Sequence, residues 1–238
     1  MIATKVNGQS FASREKWSEI MDFIEEKWDN NYFITEFDFG DGFYRVLLSG
    51  SEGWNGQAIR YGKVFPEEKV DELWQKGYYI TNVGHDGKDW IVIMSGIDQI
   101  TDQAWFTRST FEKFEESVSE YWAKGYDLTK VSYGNGTYLG VMSKGLNWGQ
   151  SWWLWSEFPS EEILDAKQKE GKIITDIIQF DNKIFALTSS NTGYTKQRVH
   201  RNKDFERLRE LLNNRWDEDY SLTTVGFYNQ EWILVLSK

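Results

Sequence analysis

The chain has 238 residues, enough for a substantial core, and its 13 Trp and 17% aromatic content point to a Trp-built core or a Trp-built surface. A formal net charge of −10 cannot neutralise a run of phosphates, so nucleic-acid binding is not expected, and the absence of Cys removes disulfides, thiolate nucleophiles and Cys-ligated metals together. No basic segment followed by an apolar stretch opens the sequence, and no apolar run nears the roughly 20 residues of a membrane span, so a soluble, cytoplasmic protein without membrane contact is expected.

The first predicted strand opens at Gln9, and a helix follows Trp17. WDNNYFIT (28–35) then carries the chain from helix to second strand, which turns at Asp41–Gly42 into a third strand ending near Ser49. The same sentence recurs as WQKGYYIT at 74–81, WAKGYDLT at 122–129, QKEGKIIT at 168–175 and WDEDYSLT at 216–223. Its closing Thr stands at 35, 81, 129, 175 and 223, and a Ser follows 14 residues later each time, at 49, 95, 143, 189 and 237. Gln9, Gln57, Gln103, Gln150 and Gln197 lead the copies, with an aromatic 8 residues on: Trp17, Phe65, Phe111, Phe158 and Phe205. The chain is therefore one domain, 1–238, of five repeats of about 47 residues: 9–49, 57–95, 103–143, 150–189 and 197–237.

Each repeat reads as strand, helix, strand, strand. Phe111, Phe114, Val118 and Trp122 share one helix face, as do Phe205, Leu208, Leu212 and Trp216. Pro66 and Pro159 read as first helical residues, ahead of acidic pairs at the positive dipole end. Gly77, Gly125 and Gly171 take the left-handed slot after the helix, with Asn31 and Asp219 filling it in the outer copies. In the next strand, alternation puts Tyr78 and Ile80 on one face and Tyr79, Thr81 and Val83 on the other. The last strand (WIVIMS, YLGVMS, WILVLS) is apolar on both faces and so covered on both. Its short connection to the next Gln strand suggests a three-stranded meander shared between neighbouring repeats. The first Gln strand would then pair with the final strand. The fold class expected is α/β (α+β): a closed, five-fold, propeller-like toroid with helices outside and the N-terminal strand closing the last blade.

The stretches WQKGYYITNVGHDGKDWIVIMS and WAKGYDLTKVSYGNGTYLGVMSKG carry the pattern W-x3-Y-x-I-T followed by an apolar strand ending in M-S. This resembles a repeat family found in the non-catalytic C-terminal region of plant casein-kinase-I-like kinases and in bacterial proteins. The resemblance spans all five repeats and implies an accessory or interaction domain without assigned chemistry. Repeat four departs from it, with Gln168 and Lys172 where Trp and Tyr stand elsewhere. At fold level the arrangement is also similar to the pentein α/β propellers. Their guanidine-modifying members use a catalytic Cys, absent here, and their non-enzymatic relatives serve as binding bodies.

Residues in repeat slots read as structural: Trp28, Trp74, Trp122 and Trp216 on helices, Trp90 and Trp232 on strands. The five Gln could form an axial polar ring around a ligand, or tie each repeat to its neighbour. Function is expected where the copies differ. Trp54 and Trp148 lie in loops before a Gln. Trp153 corresponds to Ala12, Arg60, Phe106 and His200, and Trp155 to Arg14, Gly62, Arg108 and Asn202. Positions so variable suggest a surface, so Trp54, Trp148, Trp153, Trp155, Arg60, Phe106, Arg108 and His200 form the candidate partner-binding set. The alternative is that the Trp cluster packs under a helix. His85, Asp86 and Asp89 share a turn that could suggest a metal or acid–base work, and KQRVHR (196–201) could hold an anion, although solvated surface accounts for both. No phosphate loop, His-rich metal motif or triad is visible, so neither catalysis nor a cofactor is expected. The expected function is a protein-interaction scaffold. The alternative is a small-ligand or glycan binder, and a hydrolase or metal-dependent enzyme is a remote third.

Overall fold

The computed structural model describes residues 6–51 and 53–238. Repeat one comprises β1 (Val6–Arg14), α1 (Trp17–Trp28), β2 (Tyr32–Gly40) and β3 (Phe43–Ser51). Repeat two comprises β4 (Trp54–Gly62), α2 (Glu67–Trp74), β5 (Tyr78–His85) and β6 (Trp90–Ile97), and repeat three β7 (Asp102–Arg108), α3 (Phe111–Ala123), β8 (Asp127–Gly134) and β9 (Thr137–Lys144). Repeat four follows with β10 (Gly149–Trp155), α4 (Glu161–Lys169), β11 (Ile173–Phe180) and β12 (Lys183–Ser190), and repeat five with β13 (Gln197–Asn202), α5 (Phe205–Trp216), β14 (Ser221–Tyr228) and β15 (Glu231–Ser237). The strand–helix–strand–strand reading holds in every copy, and the chain is mixed α/β.

The sheet pairing differs from the meander expected. Each repeat makes its own three-stranded antiparallel sheet in the order first, third, second: β1-β3-β2, β4-β6-β5, β7-β9-β8, β10-β12-β11 and β13-β15-β14. The Gln strand pairs with the last strand of its own repeat. Gln9 stands opposite Ser49, Gln57 opposite Ser95 and Gln197 opposite Ser237. β1 therefore completes the first sheet and does not close the last. The physical reason is the helix. Two parallel edge strands need a crossover of a dozen or more residues, and the helix supplies it, leaving the central place to the most apolar strand.

Contacts divide the chain into two compact units, one ending at Asn147 and holding repeats one to three, the other spanning Trp148–Lys238 and holding repeats four and five. In the first, Ile20 and Ile24 of α1 pack with Ile34, Phe37 and Val46, and the cluster is completed by Ile91 and Ile93 from the next repeat's central strand. Val70, Leu73 and Ile80 likewise take Leu139 and Val141 from repeat three. In the second unit Ile174, Ile177 and Ala186 take Ile233 and Val235. The central strands β6, β9 and β15 are apolar on both faces because one face packs in its own repeat and the other in the repeat before it.

The helix ends follow the expected chemistry at one end and shift at the other. Asn31, Gly77, Gly125, Gly171 and Asp219 all adopt left-handed backbone, φ +58°, +80°, +79°, +74° and +64°. The prolines lie outside the helices they were expected to begin: Pro66 caps α2, and Pro159 precedes the capping Ser160 of α4. Four tight hairpins turn on paired left-handed residues, Asp41–Gly42, Asn135–Gly136, Asp181–Asn182 and Asn229–Gln230.

A β-bulge falls at the closing Thr of every motif. The register shifts between Ile34 and Glu36, Ile80 and Asn82, Leu128 and Lys130, Ile174 and Asp176, and Leu222 and Thr224. The extra residue reverses the alternation that the sequence suggests. Ile80 and Val83 both face the core, and Asn82 between them points away from it.

Candidate functional site

The repeat slots resolve into joints. Gln57 Oε1 accepts from Ile34 N (2.8 Å) and from the Trp28 indole (3.0 Å), while its Nε2 donates to Ile34 O (3.0 Å) and Ser95 Oγ (2.8 Å). Gln103 does the same with Ile80 N and O, the Trp74 indole and Ser143. Gln197 holds Ile174 N and O and Ser237. Each of these carboxamides clasps the preceding repeat, so they are ties and not an axial ring. Gln9 and Gln150 also donate to the Ser opposite, Ser49 and Ser189. Repeat four keeps the joint with different atoms. Gln168, in the Trp slot, accepts from Gln197 N across the joint, while Lys172, in the Tyr slot, donates to Gly149 O (3.0 Å) within repeat four.

The bulged Thr is fixed by its Ser. Thr35–Ser49, Thr81–Ser95, Thr129–Ser143, Thr175–Ser189 and Thr223–Ser237 are linked through their hydroxyls at 2.7 to 3.1 Å. One residue further on stands a position not singled out above: Glu36, Asn82, Lys130, Asp176 and Thr224. All five are polar, and all are buried. In the first unit the edge strands β2, β5 and β8 lie against one another. Both Glu36 carboxylate oxygens accept from Lys130 Nζ at 2.9 Å, and Glu36 Oε1 also accepts from Asn82 Nδ2 at 3.1 Å. The other half of that carboxamide, Asn82 Oδ1, is buried without a hydrogen-bond partner among the described residues. Asp38, two residues along β2, has its carboxyl pushed up to about 8, chiefly by burial; the neighbouring Glu36 charge adds to this, while the Phe39 N–H, Arg45 and Lys130 oppose it. The signal for this row was present in the sequence, a polar residue after Ile-Thr or Leu-Thr inside an apolar strand. The bulge hid its direction.

The variable positions are not one surface. Trp54, Trp148 and Phe106 are buried, at 8%, 8% and 5% exposure, which corrects their reading as partner-binding residues. Trp54 packs with Ile97 and Ile100. Phe106 stacks on Tyr121 (5.8 Å, 9°) and against Phe114, and the Arg108 guanidinium lies 5.1 Å over its ring. Arg60 is half-buried and donates to Ile59 O. The strand position of Phe106 lies beneath the crossover helix, as its equivalents show: Lys167 Nζ sits 5.0 Å over Trp153, and Arg215 Nε donates to His200 Nε2 at 3.2 Å. His85 and Asp86 build a turn. Asp86 Oδ1 accepts from Lys88 N and Asp89 N, Tyr44 donates to Asp86 Oδ2, and the His85 ring lies over Gly134, leaving no room there for a Cβ. Among the described residues no three His, Asp or Glu side chains are grouped to hold a metal, and no helix is long and apolar enough to cross a membrane.

What remains of the candidate set gathers in the second unit. Trp153 and Trp155 are half-buried, with ring centroids 5.3 Å apart, and Trp155 continues to Phe158. Trp155, Phe158, Leu164 and Val199 border one cluster. Leu164 and Val199 also line a cavity of about 210 Å³ together with Glu161, Asp165, Gln168, Arg198, His200 and Arg215. Burial holds His200 below the usual imidazole range, with Arg215 and Arg198 pushing the same way and Glu161 and Glu218 opposing. Above this cavity α4 buries no residue.

A family model described only as a domain of unknown function, DUF7477, matches residues 3–133 and again 89–238. The chain belongs to this family. The two matches overlap at residues 89–133 and together run through all five repeats. A comparison with characterised proteins finds no match.

Proposed function

We propose that this DUF7477 protein is a non-enzymatic scaffold that binds another protein through the Trp153–Trp155 flank of its second unit. The observation carrying this reading is the half-buried indole pair beside a helix with no buried side chain. Aromatic surface of this kind is where binding energy concentrates, and a loosely held helix can adjust to a partner at small cost. Affinity capture from the host should return one dominant protein, lost when Trp153 and Trp155 are both changed to Ala. A second apolar patch, exposed Tyr61 and Val64, provides the control. If capture survives the Trp changes and is lost with Tyr61→Ser and Val64→Ser, the scaffold uses the other face.

The proposal extends to architecture: five repeats closed in an α/β-propeller-like ring. Its support is that Gln9 and Gln150 carry the residue which elsewhere reaches into the preceding repeat. Gln9→Ala should then cost as much stability as Gln57→Ala. A chain indifferent to the first change would not be a ring.

A further inference from the structure

The 210 Å³ cavity in the second unit has walls of opposite charge. Glu161, Asp165 and Gln168 of α4 stand on one side, Arg198 and His200 of β13 and Arg215 of α5 on the other, with Leu164 and Val199 between. We propose that this cavity binds a small zwitterion of the free α-amino-acid class. The ligand carboxylate faces Arg198 and His200, and its ammonium faces Glu161 and Asp165.

Three observations carry the assignment. First, the charges around the cavity are of both signs, while the ion pairs nearby are local ones: Lys167 with Glu170, Arg207 with Asp204, Arg209 with Glu206 and Arg215 with Glu218. Arg198, Glu161 and Asp165 form no ion pair among the described residues, although they line one cavity. Charges held apart across a gap match a ligand carrying both signs. Second, the polar groups have defined roles. Arg215 Nε donates to His200 Nε2, so the neutral ring keeps its proton on Nδ1 and offers a donor; Gln168 Oε1 is taken by Gln197 N, leaving its NH2 as a further donor. Third, the size is restrictive. At about 210 Å³ the cavity lies below the range of drug-sized pockets, and Leu164 and Val199 offer a short apolar side chain a surface to rest on. Since several lining side chains are exposed, the expected Kd is about 0.1–1 mM. The assignment stands independently of the protein-scaffold reading.

The test is calorimetric titration of the full chain with glycine, L-alanine and L-serine, then with N-acetyl-L-alanine and L-alaninamide, which remove one charge each. The free amino acids should bind, and each blocked derivative should bind at least about tenfold more weakly. Arg198→Gln and Glu161→Gln should each weaken alanine binding by a similar factor without altering the melting temperature. Alanine should also shift the NMR signals of Val199, the His200 ring and the Gln168 side-chain amide in the unaltered protein. Absence of binding by all three amino acids at about 10 mM, equal binding of the blocked derivatives, or shifts located elsewhere would overturn the proposal.

Discussion

Helix α3 buries Phe114, Ser117 and Val118 and starts from Thr110, whose hydroxyl accepts from Lys113 N; α4 buries nothing, and Ser160 makes no side-chain cap. Both cross from a Gln strand to the parallel edge strand of the same sheet, so topology does not separate them. The apolar stripe does. FEKFEESVSEYW puts apolar residues at three- and four-residue steps, whereas EEILDAKQK has only the adjacent pair Ile163–Leu164, and Ile163 is left 47% exposed. Repeat four also lacks the Trp of the joint, and the Tyr that follows it elsewhere. A repeat protein can thus hold one architecture while relaxing a single copy, and the relaxed copy is where the unpaired charges and half-buried indoles lie.

The comparison breaks most decisively if the two helices prove equally costly to disturb. Phe114→Ala should lose about 3–5 kcal/mol in urea denaturation, and Leu164→Ala about 1 kcal/mol or less, because a half-buried side chain leaves little cavity. The joints give the next largest difference. Gln103→Ala strands Ile80 N–H and C=O together with the Trp74 indole N–H and should cost about 1–3 kcal/mol, while restoring the motif with Gln168→Trp and Lys172→Tyr should gain about 1 kcal/mol. If the restored joint gains nothing, repeat four is relaxed for reasons other than its seam.

A smaller effect comes with pH. His200 is held below its ordinary 6.5, so its contribution is complete above pH 6.5 and is lost as pH falls through the folded value; His85, lowered by burial, adds to the same acid limb. Asp38 works in the opposite direction. Its carboxyl is raised from 3.8 to about 8, so its contribution is complete below pH 3.8 and is lost as pH rises towards 8. His200→Gln should flatten the acid limb of a melting-temperature profile. Asp38→Asn should raise the melting temperature by about 2–4 °C at pH 8 and less at pH 5. The smallest change expected is Ile163→Glu, within about 0.5 kcal/mol of the parent, since the side chain already faces solvent.

Much of this fold was legible because repetition averages out local ambiguity. Five left-handed slots after the helices, five hairpins and the doubly apolar central strands follow from residue types that physics confines. Pairing was less legible. A short loop from Ile97 to Asp102 reads as a hairpin, yet the chain passes to a new sheet. Each Ser is spaced as regularly from the next Gln as from its own, so spacing does not choose between them, and the Gln-to-Ser hydrogen bonds within a repeat do. The buried polar row was missed because strand parity is global: one bulge at Thr81 turns Asn82 from one face to the other. The exposure of Phe106 was misjudged for a related reason. A position that varies from Ala to Trp looks like surface, but here its neighbour on the helix varies with it, Tyr121 over Phe106, Lys167 over Trp153, Arg215 over His200.

The clasp also constrains how such a chain can grow. A repeat carries a socket at its front, the Gln, and a plug at its back, the indole and backbone just before the bulged Thr. Plug and socket belong to different joints, so a lone repeat satisfies neither. A duplication spanning any whole period preserves the match wherever its breakpoints fall, because each new socket arrives behind an existing plug. A shift of even a few residues would bury an unmet carboxamide. Copy number in this family is therefore free to change only in whole repeats.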